Sequence, residues 1–426
     1  MKKTYFEAFD LDIYYEKISN GLEIYVLPMK KFSSVYATFT TKYGSIHNNF
    51  RFKGEKEYKK MPAGIAHFLE HKVFESENGI DVFDVFHKNG ARPNANTSHV
   101  RTCYLFKTNE KPLENLDFLL NYVQEPYFTD ENVKKEKGII VEEAKMYHNI
   151  NDYYISDVVM NNLFHKSEYK IPIIGTIDSI NSITKDQLKE CYNTFYNPSN
   201  MVVIVTGDVE PKETIDLIKS NQSKKSFPSI PEIELFKEEE LDSVFKEKEF
   251  LDLDLENDTV SLSYKISLKE ILSDGFEVDI LNWYIYGLLF SKTSDLNEVL
   301  DEKNLTIGGY SSGFFRADDF LIINVDFKTD KDAEMVVNII DEVVKNVEIT
   351  KADFDRKKQK MKMVLATYPM NVNTPNNFIL SDVVNNGFLN YNVLNDLENF
   401  NYDDFIKYYS KLSLENKAVV IAKKKA

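Results

Sequence analysis

Apolar and polar side chains alternate along residues 12–28, and the alternation breaks at Asn20-Gly21. Period two with an Asn-Gly break predicts a β-hairpin. Residues 34–41 continue as a strand, and the polar, lysine-rich stretch 47–60 reads as an exposed loop or ribbon. The period then changes. No helix breaker stands between Pro62 and Gly79 apart from Gly64, and Ala66, Phe68 and Leu69 supply the apolar side of a helix. A shorter helix over 81–88 ends at Gly90, strands follow over 91–97 and 100–107, and 113–123 returns to helical spacing before Pro126. A long helix is predicted over 130–147, with Asp130 as its cap and Val133, Ile140, Val141 and Ala144 as its stripe. Helical segments run on to about Tyr196, and the apolar run 201–206 is a buried strand.

The second half follows a similar order. Strands are predicted near 243–251 and 257–266, helices at 275–291 and 294–303, and a strand pair ending near Phe327. Helices at 331–346, 351–367 and 376–388 lead to a last strand at 418–422 that resembles 202–205. The pattern implies an α+β fold of two similar sandwiches, each an antiparallel-rich sheet with helices packed on it. Residues 1–222 form the first domain, the Pro-, Ser- and charge-rich stretch 223–241 a linker, and 242–426 the second domain.

Composition narrows the function. The 52 basic and 68 acidic residues leave a net charge of −16, which argues against nucleic acid as a partner. Cys103 and Cys191 are the only cysteines, so neither a disulfide framework nor a Cys-based metal site is expected. No apolar run follows the first charges, and none approaches the roughly 18 residues of a membrane span. No membrane association is expected, and the cytoplasm is the expected compartment.

The chemistry concentrates in His67-Phe68-Leu69-Glu70-His71. Residues four apart on a helix share a face, so His67 and His71 can present two imidazoles to one ion. Glu70 lies at the edge of that face, within reach of a water beside the metal. Hydrolytic zinc uses two or three protein ligands, an open position and a nearby carboxylate. With seven His in the chain, H-x-x-E-H is expected by chance about 0.01 times, a composition estimate set against the reversed zinc motif. The plain alternative is a pair of surface histidines. A third ligand would come from the 130–147 helix, which carries Glu136, Glu142 and Glu143. Glu136 and Glu143 are two turns apart and share a face, and Glu142 is rotated by about 100° from Glu143. Charges beside an apolar stripe are usually a solvated flank, and each of these taken by itself reads as surface rather than ligand.

With these residues the sequence resembles the pitrilysin/insulinase family of zinc peptidases, the inverzincins, which includes the mitochondrial processing peptidases. The family pattern is H-x-x-E-H, some seventy residues, then E-x-x-x-x-x-x-E; here 71 residues separate His71 from Glu143. The resemblance implies His67, His71 and Glu143 as zinc ligands, Glu70 as general base, and Glu136 as a carboxylate that helps place the site. It extends to Asn94-Ala95-Asn96 with Thr97-Ser98, the edge strand on which that family receives substrate as an added strand. His71-Lys72-Val73-Phe74-Glu75 is closest to the small bacterial two-domain members.

The function implied is a zinc-dependent endopeptidase cleaving short unfolded peptides in a chamber formed with a second chain. One departure stands out. Where the family's second domain carries an Arg and a Tyr that stabilise the developing oxyanion, this chain has Asp301 and Ile307, with Arg316 and Tyr310 out of frame. The implied assembly is a heterodimer with a homologous subunit that supplies Arg and Tyr, or else a homodimer. The alternative from another class is a non-catalytic or partner-dependent peptide-binding subunit.

Overall fold

A computed structural model describes residues 1–424. The chain forms two compact units, and each takes a segment from the other half of the sequence. The first contains Met1–Lys145, Pro172–Phe236 and Val364–Val393. The second contains Met146–Ile171, Lys237–Met363 and Leu394–Ala426.

The first unit holds β1 (Lys2–Phe6), β2 (Leu11–Lys17), β3 (Glu23–Pro28), β4 (Val35–Thr41), β5 (Asn49–Phe52), β6 (Lys59–Lys60), β7 (Ala91–Thr97), β8 (Thr102–Thr108), β9 (Met201–Gly207) and β10 (Ile233–Leu235). Seven of these form one sheet in the order β1-β2-β3-β9-β4-β8-β7. Only the β3–β9 pair is parallel. The stretch 47–60 is a ribbon, β5 and β6, extended by β10 into a small separate sheet. β10 lies in the segment read as a linker.

Every residue of β4 and of β9 is buried. That requires cover on both faces of the sheet. One face carries α1 (Ile65–Val73), α2 (Val82–Lys88), α3 (Pro112–Val123) and α4 (Asp130–His148), with Ala37, Phe39, Val203 and Val205 meeting Ile65, Phe68, Leu69 and Leu120 in one core. The other face is covered by the exchanged helix Asn373–Asn386. Its Asn376 is fully buried. The side chain accepts from Thr38 Oγ1 at 2.9 Å and donates to the carbonyls of Ile204 and Tyr36 at 3.0 and 3.3 Å. A polar residue is stable there because all of its bonds are made.

In the second unit β11 (Lys248–Leu253), β12 (Asp258–Ser267), β13 (Tyr310–Ala317), β14 (Phe320–Thr329) and β15 (Lys417–Lys424) form a sheet in the order β11-β15-β12-β14-β13. β11 and β15 run parallel and the other neighbours antiparallel. This is the order β3-β9-β4-β8-β7 with the same directions, so the duplicated pattern in the sequence is a duplicated sheet. The exchanged segment contributes α5 (Asn151–Leu163), which packs on β12 and β15. Among the described residues no helix is long and apolar enough to cross a membrane.

Candidate metal centre

The candidate metal site is built by two helices, α1 and α4. α1 begins after Gly64, whose φ is +86°. A Cβ on Gly64 would stand 2.3 Å from the Ile174 carbonyl, and one on Gly175 would stand 2.6 Å from the Ala63 carbonyl. The two glycines therefore let the 172–176 loop close directly on the start of α1. Ile65, Phe68 and Leu69 bury the helix underside. His67, Glu70 and His71 are left on the upper edge, each only partly exposed.

α4 brings its carboxylates to that edge. His71 Nε2 lies 3.3 Å from Glu143 Oε2, and His67 Nε2 lies 4.0 Å from the same oxygen. The two imidazole centroids are 4.7 Å apart. One ligand atom from each of His67, His71 and Glu143 falls within 4.8 Å of the others. Donors sharing one tetrahedral zinc, at bonds of about 2.0–2.1 Å, stand about 3.3 Å apart. The set is thus close to a zinc shell and slightly open. Glu142 turns outward to Lys145, at 2.7 Å.

The electrostatics fit the same group. Burial, and then the neighbouring His71, push His67 down to about 4. It is therefore neutral near pH 7, the form in which imidazole binds a metal. Burial opposes charge on His71, but its hydrogen bonds to Glu136 and Glu143 outweigh it and raise His71 to about 9. A proton on His71 and a divalent cation between His71 and Glu143 are alternative ways to neutralise the same carboxylates. Glu136 is buried and takes the other ring nitrogen, with Oε1 at 2.8 Å from Nδ1. Nε2 is thereby left to face Glu143. Glu136→Gln is expected to weaken zinc binding about 10–100-fold in chelator competition; an unchanged affinity would leave Glu136 a packing residue.

Glu70 sits beside the cluster without joining it. Its Oε2 accepts from Thr97 Oγ1 at 2.6 Å. Burial raises its carboxyl above the ordinary value, against the opposing pull of Thr97. Thr97 ends β7, so the strand with Asn94, Ala95 and Asn96 is tied to Glu70. β7 is the last strand of the sheet and pairs with β8 alone. Asn94 and Asn96 are exposed on one face, and Ala95 is half-buried against the core on the other. Thr97 itself was not singled out by the sequence as a site residue. Its signal was the period-two pattern, which puts it on the Ala95 face, toward α1. Lys72 was missed as well. It is fully buried behind His71 and pairs with Glu75 Oε2 at 2.6 Å.

In the second unit Asp301 and Ile307 are exposed, Ile307 at 43%. Tyr310 is buried and donates to the carbonyls of Phe290 and Ser291, both at 3.1 Å. The exposed Arg316 donates to the Asp318 carbonyl. His148 is not in the cluster; its ring packs on Tyr154.

The fold and site together define a duplicated α+β protein in which one unit gathers a zinc-type donor set of two imidazoles and a carboxylate. The chain belongs to the insulinase family, peptidase family M16. Its family models match residues 54–177, as insulinase (peptidase family M16), and 182–361, as the peptidase M16 inactive domain. The uncharacterized zinc protease YmfH of Bacillus subtilis (strain 168) is 41% identical over 319 residues, 74% of this chain and 73% of that protein. The solved structure of a putative M16-like peptidase from Alicyclobacillus acidocaldarius is similar, with a TM-score of 0.90 and 27% identity. It covers 97% of this chain and 99% of that one. A protease from Helicobacter pylori shares the fold at a TM-score of 0.80 and 21% identity, over 97% and 99% of the two chains.

Proposed function

We propose that the chain is a zinc-dependent endopeptidase that cleaves short unfolded peptides, with Glu70 as its general base. The observation that carries this reading is the cluster of His67, His71 and Glu143 with Glu70 held beside it by Thr97. A zinc ion held by that cluster would polarise the scissile carbonyl and acidify the attacking water. Glu70 accepts the proton of that water and returns it to the leaving amine. Its burial suits this, because a carboxyl raised above its ordinary value holds a proton more readily once it has taken it. The peptide adds as a strand along the free edge of β7, over Asn94, Ala95 and Asn96. The Thr97–Glu70 hydrogen bond then sets the register between the bound strand and the base.

Added oxyanion donors from a second, homologous chain, which would supply the Arg and Tyr replaced here by Asp301 and Ile307, would raise the turnover of this site. Those two residues, and the match of 182–361 to an inactive-domain model, favour one second reading: a subunit that binds peptide and turns over only with its partner.

The test is hydrolysis of a quenched unstructured peptide by the purified chain, with zinc determined on the same sample. Zinc at one equivalent with activity lost on chelation is the expected result. Zinc without activity, and activity on adding a homologous subunit that carries Arg and Tyr, would select the partner-dependent reading. A chain that takes up no zinc would sink both.

A further inference from the structure

The second unit repeats the helix pair that carries the metal cluster, and at the matching place it buries a cation. The two sheets correspond strand for strand. The Val278–Leu289 helix therefore stands in the place of α1, and the Lys351–Thr367 helix in the place of α4. Counted back from the last residue of the first helix in each pair, Gly287 matches His71. Counted from the first residue of the second helix, Lys357 matches Glu136. His71 and Glu136 touch in the first unit, and Gly287 and Lys357 touch in the second. A Cβ on Gly287 would stand 2.8 Å from Lys357 Cδ, so glycine makes room there for the lysine stem.

Lys357 is 7% exposed. Its Nζ lies 3.1 Å from Ser291 Oγ and 3.3 Å from Thr293 Oγ1, both neutral hydroxyls. Lys360 Nζ donates to the same Thr293 Oγ1 at 3.1 Å. Burial, and then the positive charges of Lys360 and Arg356, push Lys357 down to about 8. The nearby carboxylates do not relieve it. Asp353 accepts from Arg356 and from the Thr350 amide and hydroxyl. Asp295 and Glu348 are exposed residues in the wall of the cavity that opens here. The cavity, of about 150 Å³, is lined by the cations Arg356, Lys357 and Lys360, by Thr293 and Ser294, and by the carboxylates of Asp295, Glu348 and Asp353. That is room for several water-sized groups.

A buried ammonium bonded only to neutral hydroxyls is costly, and an anion seated beside it offsets that cost. We infer that this cavity binds a phosphate-type oxyanion, held by the ammonium groups of Lys357 and Lys360 together with the Thr293 hydroxyl. The metal pole of the first unit is thus replaced in the second by an anion pole, independently of any peptidase activity.

The test is calorimetric titration of the full chain with inorganic phosphate at fixed ionic strength. One site is expected. Lys357→Met should weaken it at least tenfold with an unchanged far-ultraviolet dichroism spectrum. Lys360→Met, at a half-buried position, should weaken it several-fold and carries the test if Lys357→Met does not fold. Absence of phosphate binding by the native chain would overturn the inference, as would equal dissociation constants in the native chain and the folded variants.

Discussion

Glu70→Gln is expected to hold zinc at the native stoichiometry and to lose about 10²–10⁴ in kcat, the range that a positioned general base contributes. The substitution keeps the shape of the side chain and its bond from Thr97 Oγ1, which lies 2.6 Å from Oε2. It removes only the capacity to take a proton. Glu70 is not one of the three clustered donors, so the metal should remain while turnover falls. KM should change little, because the proposed peptide site lies along β7 rather than at the Glu70 carboxyl. Zinc content by atomic absorption and steady-state kinetics on one quenched peptide separate the possibilities. Turnover within tenfold of the native rate would remove Glu70 from the base role. Loss of zinc together with activity would instead make it part of the metal shell.

The site was legible because helical periodicity is a strong constraint. His67 and His71 at i and i+4, and Glu136 and Glu143 two turns apart, must each share a face whatever the rest of the fold does. The sequence could not show which glutamate of α4 meets the histidines, since Glu142 and Glu143 differ only by a rotation of the helix about its axis. The tertiary packing sets that rotation: Val133 and Ile140 go into the core, and Glu142 is left to Lys145 in solvent.

The sheets were legible where strands are buried or strongly alternating. The predicted strand at 91–97 coincides with β7, that at 201–206 with β9, and that at 418–422 lies within β15. β1 and β10 gave no such signal. β1 buries only Phe6, and β10 is three half-buried residues whose partner, β5, is about 180 positions away in sequence. The strand predicted near 243–251 begins only at Lys248. The exchange of Met146–Ile171 and Val364–Val393 between the units was also invisible. Hydrophobic spacing says that a helix has a face to bury, and not which sheet receives it.

The segment before β11 carries the second large effect. Glu240→Ala should destabilise the second unit by about 3–5 kcal/mol, the cost of removing one partner from a buried ion pair. Glu240 is 8% exposed, and Lys265 is fully buried. One oxygen accepts from the His165 amide at 2.9 Å and from Lys265 Nζ at 2.8 Å; the other accepts from the amides of Lys166 and Ser167 at 2.8 and 2.9 Å. Burial opposes the carboxylate, but Lys265 and the three amides outweigh it and hold Glu240 down to about 2. A carboxylate lowered in the folded state contributes stability above its unfolded value of about 4.3. That contribution is lost as pH falls from there toward 2, so the native chain and the variant should converge in stability across this window. Lys265 gains less from the pair. Burial lowers it despite Glu240, and its ammonium also donates to the Leu163 and Ser243 carbonyls. Lys265→Met should therefore cost less than Glu240→Ala, because the carboxylate keeps its three amides while the alanine strands those amides and leaves the buried ammonium only its two carbonyls. Urea unfolding of the two variants at pH 7 decides this. An equal loss would mean that the ion pair itself, rather than the amide cradle, holds the segment.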